Sequence, residues 1–89
     1  MMAEQTVTVS NRLGLHARAA AKVVHTAGRF AATVEIVHGD RQVNAKSILG
    51  VMMLAAGKGS VLKLRASGAD AGQALDALVS LFVRKFDEE

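Results

Sequence analysis

An α+β fold, with helices on one face of a four-stranded, mostly antiparallel sheet, follows from three observations. Short stretches alternate apolar and polar residues, other stretches carry an apolar residue every three or four positions, and turn residues separate them. "TVTV" at 6–9 is the first strand, with Val7 and Val9 directed to a core and Thr6 and Thr8 away from it. After "NRLGLH", residues Ala17, Ala20, Ala21 and Val24 keep the spacing of a helix that Gly28 closes. Arg18, Lys22, His25 and Arg29 form its opposite, basic face. "ATVEIVH" and "QVN" flank the turn "HGDR" as a hairpin, with Val34 and Ile36 inward. Ser47 is a cap for a two-turn helix in "ILGVMML", and "GKGS" breaks that helix before the strand "VLKLRA", which sends Leu62, Leu64 and Ala66 inward. Asp70 caps a last helix whose apolar stripe is Leu75, Leu78, Val79, Phe82 and Phe86. The order is βαββαβα. Each strand alternates and each long helix has one apolar stripe, so the three helices cover one face of the sheet and leave the other open.

Composition narrows the function. The 89 residues hold no proline, long linker or repeat, and form one domain, 1–89, with a single modest core. Chemistry therefore belongs at the surface. Cysteine is absent, which excludes disulfides, thiolate metal sites and thiol nucleophiles. The N-terminus lacks a basic segment followed by an apolar block, and "ILGVMMLAAG" is too short to span a bilayer, so a soluble, cytoplasmic chain is expected. Eleven Lys and Arg against eight Asp and Glu give a formal charge of +3, which suits acidic partners or anionic ligands.

His16 is the candidate for chemistry. A helix beginning near Ala17 leaves its first amide N–H groups without intrahelical partners and places partial positive charge there. Such an end binds phosphate, and Arg18 in the first turn adds a charge-assisted contact. Gly14 lets the chain turn sharply and present the imidazole. Imidazole is a neutral nucleophile near neutral pH, so attack on a phosphoryl group, with the anion held by amides and Arg18, is the chemistry these residues permit. Read locally, the same pair is more readily an ordinary residue at a helix start and a solvated cation, and the local argument alone does not overturn that reading.

Other features carry less. His25 and His38 lack metal-ligand spacing with His16 or with carboxylates, so no metal site is expected. "GKGS" lacks the remainder of a phosphate loop and precedes a strand. Ser47 has no base beside it and reads as a cap rather than a nucleophile. The short helix cannot bury all of Ile48, Leu49, Val51, Met52, Met53 and Leu54. Either neighbouring loops cover the remainder or Ile48, Leu49 and Met52 form an apolar docking patch.

"GLHARAAA" together with "NAKSILGVMMLAAGKG" resembles the HPr family, the histidine-containing phosphocarriers of the bacterial phosphoenolpyruvate-dependent phosphotransferase system. The likeness runs over essentially the whole chain. It implies an open-faced β-sandwich, a four-stranded antiparallel sheet covered by three helices. It also implies that His16 accepts a phosphoryl group on Nδ1 from phosphorylated enzyme I and passes it to a downstream enzyme IIA, with Arg18 at the family's active-site arginine. By the same resemblance Ser47 is a regulatory serine, the target of an HPr kinase/phosphorylase, and Ile48, Leu49 and Met52 are the docking surface. Ala19 and Lys22 join the partner-facing set. The implied protein is a monomeric carrier rather than a stand-alone enzyme, without cofactor, metal, nucleic acid or membrane insertion.

The chain departs from the family pattern at Ala19, where proline is common in "HARPAA". That change loosens the first helical turn and adds an amide N–H. "NRLGLHARAA" and the ending "LFVRKFDEE" also resemble the nitrogen-related paralogue NPr, which serves a regulatory phosphorelay, so the pathway stays open. An alternative of a different class is a small basic nucleic-acid-binding module. Such sheets stack bases on aromatic residues, whereas Phe30, Phe82 and Phe86 fall outside the predicted strands. A structural adaptor would leave His16 and Arg18 unexplained.

Overall fold

In the computed structural model, which describes residues 1–88, the alternating segments pair into one antiparallel sheet of order β1-β4-β2-β3. The strands are β1 (Met2–Thr8), β2 (Thr33–His38), β3 (Arg41–Asn44) and β4 (Val61–Ser67). Leu62 lies opposite Val7, and Leu64 lies between Gln5 and Ile36. This register puts Val7, Val34, Ile36, Leu62, Leu64 and Ala66 on one buried face. The reverse face carries the row Glu4, Arg65 and Glu35, with Arg65 Nε 2.8 Å from Glu4 Oε2. The sheet is therefore open on its polar side.

β1 begins at Met2, four residues before the alternating "TVTV" stretch, because pairing with β4 continues through polar Glu4 and Gln5. Val9 is fully buried just past its end. There its N–H donates to Ser60 O at 2.8 Å and its carbonyl accepts from Gly59 N at 2.7 Å. "GKGS" is accordingly a turn stitched to the first strand. The β2–β3 hairpin closes through Gly39 and Asp40, with Gly39 at φ +59°, as a tight two-residue turn demands.

Three helices cover the apolar face: α1 (Ala17–Gly28), α2 (Ile48–Met53) and α3 (Ala71–Val83). The buried line of α1 is Ala19, Ala20, Val23, Thr26 and Ala27, which corrects the phase expected from Ala17, Ala20, Ala21 and Val24. Ala17 and Ala21 face outward, as do Arg18, His25 and Arg29. In α3, Leu75, Leu78 and Phe82 are buried as expected, and Leu81 joins them. Phe86 does not lie on α3. The helix ends at Val83, and Lys85, Phe86 and Asp87 all adopt positive φ, 57°, 57° and 60°. The Phe86 ring is fully buried and meets Phe82 edge-on, with centroids 4.9 Å apart. Among the described residues, no helix is long and apolar enough to cross a membrane.

Asp70 occupies the N-cap position of α3 but makes no side-chain cap there. Its carboxylate instead accepts the Ala31 N–H at 2.9 Å and the Ala32 N–H at 2.8 Å, joining the start of α3 to the segment that enters β2. The Ala31 hydrogen bond is the main cause holding this carboxyl below the usual Asp range. Ala32, its own amide and the Lys46 charge assist, against the opposing effect of desolvation. A lowered native pKa adds stability above the ordinary Asp range and loses it as pH falls through the lowered value. Asp70→Asn should therefore be less stable than the native chain at pH 7, and the gap should close on acidification below that range. Urea unfolding midpoints across a pH series test this; a gap independent of pH would contradict it.

Candidate functional site

The segment before α1 is "SNRLG", and its geometry decides where His16 points. Asn11 is fully buried, and its Nδ2 donates to Gly14 O at 2.8 Å. Gly14 adopts φ +69°, and the next amide, Leu15 N, donates to Ala56 O at 2.9 Å. A Cβ at position 14 would lie 2.7 Å from Ala56 O and 2.8 Å from Gly57 Cα. Glycine is required twice over, for its backbone angle and for this close approach.

His16 follows as the N-cap of α1, with φ −74° and ψ 180°. Its carbonyl accepts the Ala20 N–H at 2.8 Å, and its own Nδ1 accepts the Arg18 N–H at 3.3 Å. The imidazole thus serves one of the helix-end amides that would otherwise lack a partner. The other ring nitrogen, Nε2, faces a carboxylate oxygen of Glu88. An acceptor at Nε2 and a donor at Nδ1 select the same neutral tautomer, with the proton on Nε2 and the lone pair on Nδ1. The side chain is 29% exposed.

His16, Arg18 and Lys22 line one open cleft of about 580 Å³ with Arg12, Leu13, Ala17, Asp87 and Glu88. Arg18 is exposed on the first turn. The Lys22 ammonium donates to the Phe86 carbonyl and so pins the turn after α3 against α1. Asp87 is turned to Arg84, with Oδ1 2.9 Å from Nε, a hydrogen bond that is the main cause lowering its pKa. Burial would push the Glu88 carboxyl up. Hydrogen bonds from Asn11 and His16, with the electrostatic attraction of the His16 ring and of Lys22, outweigh it and hold Glu88 below the usual carboxylate range. The cleft therefore offers a nucleophilic nitrogen, cations and a helix N-terminus in one place. It has the components for binding and exchanging an anion.

The other sequence candidates fall elsewhere. Ala19 is 0% exposed, so its side chain packs in the core and presents nothing to a partner. Ser47 caps α2, its Oγ accepting the Gly50 N–H at 3.1 Å. Ile48, Leu49 and Met52 are exposed outside the cleft, on a helix that packs against α1, while Val51 and Leu54 are buried. Met53, which sequence reasoning left out of the patch, is 64% exposed and belongs with them. His38 Nδ1 lies 3.2 Å from Leu54 O. No group of three His, Asp or Glu side chains is placed to hold a metal ion among the described residues. None of the three phenylalanines lies on a strand, so the sheet has no base-stacking platform.

The family profile described as "PTS HPr component phosphorylation site" matches residues 3–84. A phosphocarrier protein HPr from Cupriavidus necator is 49% identical over 87 residues, covering 98% of each chain. The chain belongs to the HPr family. The crystal structure of an HPr-C-His from Thermoanaerobacter tengcongensis superposes on it with a TM-score of 0.94 at 45% identity, covering 98% of each chain. HPr and its paralogue are close to each other here: a phosphocarrier protein NPr from Shewanella violacea is 47% identical, covering 96% of this chain and 93% of that protein. The open-faced sheet and its helix order are thus those of HPr structures, and the family is one of phosphocarriers.

Two residues at this candidate site escaped sequence reasoning. Asn11 carries no signal beyond its place in a turn. Glu88 is signalled only by the acidic "DEE" ending, whose approach to the basic cleft depends on the positive-φ turn. Since the site hangs on Gly14, Gly14→Ala should cost about 3 kcal/mol of unfolding free energy, from left-handed backbone strain plus the clash with the 56–57 backbone. Chemical denaturation measures this directly. A loss under about 1 kcal/mol would mean that the two loops part readily.

Proposed function

We propose that His16 is the phosphoryl-bearing residue of a phosphocarrier that takes its group from phosphorylated enzyme I and gives it to an enzyme IIA. The observation that carries this reading is the His16 imidazole, its Nδ1 accepting the Arg18 N–H at the start of α1 in a cleft lined by Arg18 and Lys22. In-line attack by Nδ1 on the donor's phosphohistidine forms the new N–P bond as the old one breaks. Amides at the helix start and Arg18 receive the phosphoryl oxygens. Most of the rate comes from the two docked sites together, so this domain works as a monomeric carrier without a metal or cofactor.

The exposed side chains of Ile48, Leu49, Met52 and Met53, with Leu13 at the edge of the cleft, are the apolar part of the docking surface. Arg18 and Lys22 supply an attraction to acidic partners that weakens with salt. The function belongs in the cytoplasm, where phosphoenolpyruvate is available. The HPr and NPr likenesses support two pathways, sugar uptake and a nitrogen-related relay, which differ in the IIA acceptor and share this chemistry.

Ser47 is a regulatory site under the same reading. A phosphate there adds about −1.5 to −2 charge at the start of α2, favourable to the helix but adjacent to Ile48 and Leu49 in the docking surface. An HPr kinase/phosphorylase would be the modifying partner.

Incubation with phosphoenolpyruvate and enzyme I should label the native protein and leave His16→Ala unlabelled; equal labelling of both removes the assignment. Ser47→Asp should keep its stability to within about 0.5 kcal/mol, since aspartate also caps. It should accept phosphoryl groups about tenfold more slowly, through repulsion at the interface. Stopped-flow or quenched transfer from enzyme I reads that rate, and native kinetics would rule out the switch.

A further inference from the structure

Glu88 is the least expected member of the cleft. It lies beyond the residues matched by the family profile, and its side chain is only 11% exposed. Both carboxylate oxygens are used. Oε1 accepts Asn11 Nδ2 at 2.9 Å, and Oε2 faces His16 Nε2. Asn11 cannot reverse its amide without cost, because its Nδ2 also donates to Gly14 O. Position 88 must therefore offer an acceptor to Asn11, and a carboxylate then has only a second acceptor left for His16. The remaining charged groups around the cleft do not compete for Nε2 in the contacts that define the site. Asp87 pairs with Arg84, Lys22 binds the Phe86 carbonyl, and Arg12 and Arg18 are cations with no acceptor to give.

We infer that Glu88 is a positioning residue for phosphoryl exchange: through Asn11–Glu88–His16 it keeps the proton on Nε2 and the lone pair on Nδ1 in both directions of transfer. The inference rests on the reading of His16 as the phosphoryl carrier. On acceptance, the Nδ1 lone pair forms the N–P bond, and the electrons of the donor's broken N–P bond return to the donor nitrogen. The product is a phosphoimidazolium whose Nε2–H stays on the Glu88 carboxylate, so no proton moves. On donation the N–P electrons return to Nδ1 and the ring departs as neutral imidazole. Without the Nε2 proton it would have to depart as imidazolate, a far poorer leaving group. Glu88 thus favours a competent donor, in the way a buried carboxylate fixes the tautomer of a catalytic histidine.

Two substitutions separate this role from mere packing. Glu88→Ala removes the constraint. Glu88→Gln is more telling: its single oxygen is taken by Asn11, so its amide N–H meets Nε2 and favours the opposite tautomer, with the proton on Nδ1. Nitrogen-15 NMR of His16 should show the Nε2–H form in the native protein, a smaller share of it in Glu88→Ala, where only the 3.3 Å Arg18 N–H contact still favours a lone pair on Nδ1, and a further shift towards Nδ1–H in Glu88→Gln. Return of phosphate from the labelled protein to unphosphorylated enzyme I should fall about tenfold at pH 8 in both variants, the size of one charge-assisted hydrogen bond. Its alkaline decline should begin at lower pH than in the native chain. If both variants are labelled and show native tautomer and native pH profile, Glu88 has no such role and the carrier reading stands. If the native protein is not labelled by enzyme I and phosphoenolpyruvate, the carrier reading fails and the inference with it.

Discussion

The close approach of Gly14 to the Ala56–Gly57 backbone is the constraint on which the site depends. Two loops from distant parts of the chain meet there without a side chain between them, joined by the Leu15 N–H to Ala56 O bond and, one step further on, by the Val9 bonds to residues 59 and 60. These bonds prolong the β1–β4 pairing past the end of the sheet. α1 must then begin at a set height above the strands. His16 inherits its position from that junction.

An alanine-rich α1 extends the same economy. With Ala19, Ala20, Val23 and Ala27 as its buried line, the helix can lie close to the sheet, and the larger side chains come from the sheet and from α3. The low volume also explains why the phase of this helix was hard to read. Alanine occurs at 17, 19, 20 and 21, so the pattern has little contrast, and an alanine is tolerated on either side. The polar residues were the better guide: Arg18, His25 and Arg29 are exposed, as their charge and polarity require. The strands were more legible because Val, Ile and Leu alternate there with Thr, Lys, Glu and Arg, and a shift of one residue would bury the charges.

The end of the chain was illegible for a different reason. Residues 82–86, "FVRKF", keep helical spacing between two phenylalanines, and nothing local announces a break. The break appears as three successive non-glycine residues with positive φ, each disfavoured by roughly 1 kcal/mol or more. Burial of Phe86 against Phe82, which contributes about 1.5–3 kcal/mol, and the Lys22 bond to the Phe86 carbonyl offset much of that cost. Local propensity loses here to tertiary burial. His16, Arg18 and Lys22 were legible because they follow one another on a single helix. Asn11 and Glu88, 77 positions apart, could not be paired without the fold.

That turn changes the electrostatic character of the site. A cleft of Arg12, Arg18 and Lys22 with a helix N-terminus would by itself favour an anion at every stage, and tight retention hinders a carrier that must release what it accepts. Glu88 adds a negative charge on the Nε2 side of the ring, away from the lone pair, and Asn11 holds it there. In the proposed transfer the cations and amides act on the phosphoryl oxygens, and the carboxylate acts on the leaving imidazole. Under that reading, opposing charges on opposite edges of one ring stabilise the transferred group without making the ring a poor leaving group, a balance that a purely basic pocket does not provide.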